Sequence, residues 1–312
     1  MDSTPDTLAL ASDPRTPPQP AASFGVTLVV ATLNRCAELE TLFASLAGQT
    51  FRDFEVVLID QNEGSLLDAV VGNAISRGLA VRRLRLLPPD QSAARNAGLR
   101  EARYPVVAFP DDDCWYERDV LDRVCNAMRD SERQLTMGCW VERGDGISAP
   151  CKVVVQDVRR FRNVIGASMI TVFLRTDLAR RVGGFDPHFG LGKFFGGGED
   201  TDLLFRAMSA ADCAYFLPDV RIHHPMKRRT QERPDLSDVR ARARGLGALY
   251  IKHRLEWWVV LRGLIGPLLR GVIGLRAPGE LGRGLVTSLG RLEGALAWTF
   301  RGRRRAARDA GE

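Results

Sequence analysis

The sequence predicts an α/β fold: a mostly parallel central sheet with helices on both faces, followed by a C-terminal region of amphipathic helices. Three observations carry that expectation. Short apolar, β-branched runs alternate with stretches whose apolar residues recur at helical spacing. The runs break off into polar loops at Thr32, at Asp60 and at Asp111 to Asp113, the strand ends where such sheets bind ligands. Beyond Asp238 the alternation stops and arginine-punctuated apolar stretches take its place. The 312 residues, 45% hydrophobic and 26% charged, are enough for one large core and an extension.

Residues 1–24 are rich in Pro, Ala, Ser and Asp, lack the basic-then-apolar order of a signal peptide, and read as a disordered tail. Residues 25–230 read as the globular domain and 231–312 as a basic helical region. Val26 to Ala31 is a buried parallel strand by its continuous apolar run. Leu39, Leu42, Phe43 and Leu46 place a helix ending near Gly48. Phe54 to Ile59 is the second strand, Leu66 to Ala74 a helix closed by Gly78, and Val81 to Leu87 the third strand, broken by Pro88-Pro89. Ser92 to Ala102 is a short helix, and Val106 to Phe109 a strand ended by Pro110.

The second half predicts a more antiparallel region, with strands at Leu135 to Val141, Lys152 to Val155 and Ala167 to Leu174. A short helix follows at Thr176 to Val182, and then a loop rich in glycine and aromatics from Phe185 to Gly198. Glu199 opens another helix, and Tyr215 to Leu217 and Val220 to Ile222 are two short strands before His223-His224. The six scattered cysteines show no metal-finger spacing and read as reduced thiols of a cytoplasmic protein.

The chemistry centres on Asp111, Asp112 and Asp113. Three adjacent carboxylates repel one another unless a cation or a hydrogen-bond network neutralises them. Oxygen ligands at a strand end suit Mg²⁺ or Mn²⁺; a solvated acidic turn is the plain alternative. Carboxylates Glu199 and Asp200 in a first helical turn are also explained by capping alone.

From Val26 to Pro225 the chain resembles the family 2 glycosyltransferases, inverting sugar-nucleotide enzymes of GT-A fold. The resemblance rests on Val29-Val-Ala-Thr-Leu-Asn-Arg35, Phe54-Glu-Val-Val-Leu-Ile-Asp60, Ser92-Ala-Ala-Arg-Asn-Ala-Gly98, Asp111-Asp-Asp113, Gly183-Gly-Phe-Asp186 and Gly198-Glu-Asp200, in the family's order. Within the family, Asp60 to Asn62 and the run from Pro110 to Tyr116 look most like exopolysaccharide-building transferases.

The resemblance implies a nucleoside-diphosphate sugar donor, UDP being the commoner, and a Mg²⁺ or Mn²⁺ ion on its diphosphate. It makes Asp113 the metal carboxylate, with Asp111 nearer the ribose and Asp112 able to exchange with either. Thr32, Asn34 and Arg35 frame the nucleotide pocket, and Asp60 hydrogen-bonds the base or ribose. Arg95 either contacts the nucleotide or pins the loop, and His224 is either a third metal ligand or a structural histidine. Asp200 is implied as the general base, with Glu199 orienting the acceptor. Trp115, Phe194 and Phe195 either stack on sugar or pack.

The resemblance further implies a saccharide or polyprenyl-linked acceptor. The C-terminal apolar faces, Trp257, Trp258 and Trp298, and the Arg-rich end predict helices lying on an anionic membrane surface. A helical hairpin packed on the core, or a dimer interface, are the alternatives. The expected location is therefore cytoplasmic, at the inner face of the cell membrane. Nucleic acid is not an expected partner, because the basic residues are interleaved with an apolar stripe. A non-catalytic module binding sugar nucleotides or polysaccharide is the rival function on the same fold.

Overall fold

The computed structural model describes residues 23–129, 133–144, 147–148, 168–212, 214–225, 235–273 and 279–309. In chain order the elements are β1 (Val26–Thr32), α1 (Ala37–Ala47), β2 (Phe54–Asp60), α2 (Asp68–Ser76), β3 (Val81–Arg85), α3 (Gln91–Glu101), β4 (Val106–Ala108), β5 (Trp115–Tyr116) and α4 (Val120–Met128). They continue with β6 (Leu135–Gly144), β7 (Ile147–Ser148), β8 (Val172–Arg175), α5 (Thr176–Arg181), α6 (Glu199–Ala210), β9 (Ala214–Pro225), α7 (Leu236–Lys252), α8 (Trp257–Ile273) and α9 (Glu280–Asp309).

The strands lie side by side as β3-β2-β1-β4-β8-β6-β9-β5, with β7 on β6. β3, β2, β1 and β4 are parallel, with Val29 opposite Val57 and Thr32 opposite Asp60. β8 runs antiparallel to β4 and β6, β9 is parallel to β6, and β5 closes antiparallel on β9. Alternation along β1 sorts its side chains between two cores. Leu28 and Val30 pack with Leu39, Leu42 and Phe43 of α1, while Val29 packs with Ala94 and Ala97 of α3. A Cβ on Gly98 would stand 2.2 Å from Val29 Cγ1, so α3 lies this close to the sheet only because that position is glycine.

The first half matches the predicted alternation, although β3 ends at Arg85 rather than Leu87. Further on, Met169–Thr171 forms a 3-10 turn ahead of β8, where a longer strand was expected. The two short strands expected around Pro218 are one strand, β9. The register against β6 shifts between Met137 and Cys139, and such an irregularity accommodates a proline that cannot donate to the ladder. The strand expected at Lys152 to Val155 lies outside the described residues. Cys36, Cys114 and Cys125 are free thiols, but Cys139 is disulfide-bonded, which corrects the reading of six reduced cysteines.

The chain divides into two units, Met1–Phe185 with Leu203–Lys227, and Asp186–Asp202 with Arg228–Glu312. The sheet and both cores belong to the first. In the second, glycines let backbones approach closely. A Cβ on Gly245 of α7 would stand 1.7 Å from the Gly197 carbonyl, and one on Gly294 of α9 1.9 Å from the Arg244 carbonyl. Glu293 of α9 pairs with Arg240 and Arg244 of α7. Among the described residues, no helix is long and apolar enough to cross a membrane.

Candidate active site

In the first unit, the carboxyl ends of β1, β2 and β4 present their loops on one side of the sheet, as parallel pairing requires. Asp111 and Asp113 come together there with His224 of β9. One ligand atom from each lies within 4.8 Å of the others. The Nε2 of His224 stands 3.2 Å from Asp113 Oδ1, and its Nδ1 is 2.7 Å from the Pro225 carbonyl. A carbonyl only accepts, so the Nδ1 proton is committed to it and Nε2 faces the carboxylates.

Burial pushes the Asp113 carboxyl up, but hydrogen bonds from His224 and Arg35 outweigh it and hold the group down at about 2. The same hydrogen bond to Asp113 raises the His224 imidazolium above its ordinary value. Asp112 turns the other way. It accepts from Thr32 Oγ1 at 2.8 Å and from Arg35 Nη1 at 3.2 Å. Its burial pushes its carboxyl up to about 6 despite those partners. Arg35 also pairs with Asp113, so one half-exposed guanidinium neutralises two of the three carboxylates.

Asn34 sits at φ 58, a left-handed conformation that asparagine tolerates, and its backbone N–H donates to Asn62 Oδ1 at 2.6 Å. Asn62 in turn donates to Asp60 from both its backbone and its side chain. The other Asp60 oxygen is taken by Arg83. Asp60 is 0% exposed. Expected to hydrogen-bond a base or ribose, it accepts from Asn62 and Arg83 here and sets the loop through Asn62. Arg83 was missed because nothing in Val-Arg-Arg-Leu-Arg says which arginine faces the neighbouring strand; the period-2 alternation of β3 was the available signal. Arg95 is also buried. It donates to Asp111 Oδ1 at 2.8 Å and lies over the Phe185 ring at 5.1 Å.

Trp115 is stacked on His223 at 5.6 Å, and Trp140 stands edge-on to His224 at 5.9 Å with part of its ring exposed. Trp140 was not singled out in the sequence, since strand Leu135 to Val141 gave no hint of its neighbour. The donor set, two carboxylate oxygens and one imidazole nitrogen with a fixed tautomer, fits a hard divalent ion such as Mn²⁺ or Mg²⁺.

In the second unit, Glu199 and Asp200 occupy the first turn of α6. Glu199 Oε2 is buried without a hydrogen-bond partner among the described residues. Asp202, in the same turn, is fully buried and pairs with Lys252 Nζ at 2.7 Å and His253 Nε2 at 2.9 Å. Lys252 also bridges to Asp186 Oδ2 at 2.6 Å, tying the glycine-rich loop to the same helix start.

Residues 27–153 match the sequence model of Glycosyl transferase family 2. Over those residues the chain is similar to family 2 glycosyltransferases. It is 30% identical over 108 residues to the putative glycosyltransferase EpsH of Bacillus subtilis, a match covering 34% of this chain and 30% of the relative. It spans less than half the length of the curated relatives it matches. Among the solved structures that share its fold are two with a bound sugar nucleotide. The mannosyltransferase PcManGT of Pyrobaculum calidifontis, in complex with GDP-Man and Mn²⁺, superposes with a TM-score of 0.61 at 17% identity over 92% of this chain and 90% of that one. S. aureus TarS 1-349 in complex with UDP-GlcNAc gives 0.59 at 14% identity over 87% and 92%. The fold is thus of GT-A type, an α/β fold with a mostly parallel sheet.

Proposed function

We propose that this glycosyltransferase moves a sugar, with inversion, from a nucleoside-diphosphate sugar to a saccharide or polyprenyl-linked saccharide, in exopolysaccharide or cell-surface polysaccharide synthesis. The observation that carries the reading is the convergence of Asp111, Asp113 and His224 beside the Thr32–Arg35 loop. The solved relatives with GDP-Man and with UDP-GlcNAc support a sugar-nucleotide donor, and EpsH supports the polysaccharide role by its name.

Asp111, Asp113 and His224 would hold Mn²⁺ or Mg²⁺, which when bound supplies Lewis-acid neutralisation of the departing diphosphate. Thr32, Asn34 and Arg35 line the nucleotide side, with Asp60 and Arg95 as the supports that hold Asn62 and Asp111 in place. Asp112 anchors that loop to β1 through Thr32. Asp200 is the proposed general base. The acceptor oxygen forms its bond to the anomeric carbon as the bond to the diphosphate breaks, and its proton passes to an Asp200 oxygen. Glu199, with its unpartnered Oε2, is assigned to an acceptor hydroxyl. UDP is the donor nucleotide we favour. Residues 231–312 are proposed to lie on the inner, anionic face of the cell membrane through the exposed apolar residues of α8 and α9.

Calorimetric titration with UDP, GDP and TDP, with Mn²⁺ and with chelator, tests the donor site. Binding of one nucleotide that needs both metal and Asp113 is expected. Absence of any metal-dependent nucleotide binding by folded protein would overturn the transferase reading in favour of a non-catalytic polysaccharide-binding module.

A further inference from the structure

Asp113 has a different neighbour on each oxygen. Its Oδ2 pairs with Arg35, on the loop that follows β1, and its Oδ1 stands 3.2 Å from Nε2 of His224, on β9. In the sheet, β1 lies on one side of β4, whose loop carries Asp113, and β6 and β9 lie on the other. A nucleotide seated at the Thr32–Arg35 loop, with its diphosphate at Asp111 and Asp113, therefore carries its glycosyl group on the side of β6 and β9.

Trp140 stands on that side. On β6 it pairs with Ile222, two residues before His224, so strand alternation sets Trp140 and His224 diagonally on one face of the sheet. The indole meets the imidazole edge-on at 5.9 Å, and 38% of Trp140 is exposed. Ile222 beside it has no exposed surface, so the apolar packing of that face ends in an indole open to solvent.

The same alternation removes Trp115, the tryptophan expected next to the Asp run. It pairs with His223, which points to the opposite face from His224, and its ring is stacked on that imidazole at 5.6 Å. Tyr215, as exposed as Trp140, pairs with Thr136, four residues earlier on β6, and lies under the Arg133 guanidinium at 4.6 Å. Among the described residues of the first unit, Trp140 is thus the exposed aromatic ring that adjoins the metal-ligand cluster. Its chemistry suits a pyranose. The C–H groups on one face of such a ring pack on the electron-rich indole face, while the hydroxyls project sideways to polar partners.

On the sugar-nucleotide reading above, we propose that Trp140 is the platform for the sugar ring of the donor. Its indole packs against the C–H face of the pyranose and helps to select which sugar is transferred.

The test compares nucleoside diphosphates with their sugar conjugates by calorimetry in Mn²⁺, on the parent chain and on Trp140→Leu and Trp140→Phe. UDP is paired with UDP-GlcNAc and UDP-glucose, and GDP with GDP-mannose. The readout, for the conjugate that binds best, is the ratio of its Kd to that of its parent diphosphate. Trp140→Leu should raise this ratio about tenfold and leave the diphosphate's own Kd within about twofold. Trp140→Phe keeps a smaller ring and should raise the ratio by about threefold. Circular dichroism reports folding of each variant. An unchanged ratio would overturn the platform, and a raised KM for the acceptor saccharide in the same variant would assign the ring to the acceptor instead. Equal weakening of diphosphate and conjugate would also overturn it, because a ring that only shields His224 acts on both alike. Folded parent chain that binds no nucleotide would sink the sugar-nucleotide reading itself. Nucleotide binding with a ratio blind to Trp140 sinks the platform alone, so the two failures are distinguishable.

Discussion

Replacing Lys252 with methionine keeps most of the side chain's volume and removes its charge. Lys252 Nζ lies 2.6 Å from Asp186 Oδ2 and 2.7 Å from Asp202 Oδ1, and it faces the Phe189 and Trp298 rings at 5.1 and 5.4 Å. Asp202 has no exposed surface, so Lys252→Met takes a cationic partner from a buried carboxylate that also meets His253. Removing one partner of a buried pair costs about 3–5 kcal/mol. Asp186 is partly exposed and keeps His188, so its share is smaller. We expect a loss of about 3 kcal/mol, a large part of the roughly 5–15 kcal/mol typical of a folded protein. Urea unfolding of Lys252→Met, Asp202→Asn and the double variant measures it. If the buried charge is the cause, the double variant should cost less than the sum of the singles, by about 2 kcal/mol. A Lys252→Met protein within about 0.5 kcal/mol of the parent, or strict additivity, would refute the reasoning.

Arg82 of β3 bridges buried Glu55 at 3.0 Å and Glu101 at 3.2 Å, while Glu55 also accepts from Thr27 Oγ1. Arg82→Met should therefore lower stability by about 3–5 kcal/mol in chemical denaturation, and Arg82→Met/Glu55→Gln by less. Near neutrality the donor site carries its own pH dependence. His224 is raised, so its contribution to stability is full below 6.5 and fades as pH climbs through its raised value; Asp113, held at about 2, contributes above 3.8 and loses it on acidification towards 2. The proton on His224 must leave for a metal to bind, so Mn²⁺ affinity by calorimetry should rise with pH across that range. An Asp112→Asn variant removes the other group titrating there, the carboxyl at about 6, and a flat or falling profile in it would exclude His224 as a ligand. Gly294→Val would drive a side chain into the Arg244 carbonyl and separate α9 from α7, with a cost of at least about 1–3 kcal/mol and faster proteolysis of the C-terminal helices.

The parallel half of the fold was legible because β1, β2 and β4 are buried on both faces and must be apolar throughout, whereas α1 shows a single stripe. Local pattern failed at β9. Pro218 signals a break, and only the register shift against β6 shows how the strand continues. The Asp run drew notice because adjacent carboxylates need a neutralising partner. Which of them gather around His224 was not legible, since residue type says nothing about side-chain direction. Asp112 is drawn back by Thr32, and Asp111 and Asp113 face His224.

By itself, the sequence determined the alternation of strands and helices, the strand ends that carry polar loops, and the kind of chemistry those loops support. These are short-range properties, set by side-chain periodicity and backbone preference over a few residues. Tertiary structure alone decided the partners: Asp60 turned inward to Arg83, Asp202 to Lys252, and Trp140 brought edge-on to His224. Such pairings depend on register and on how closely glycine lets helices approach, and both are settled only when distant segments pack.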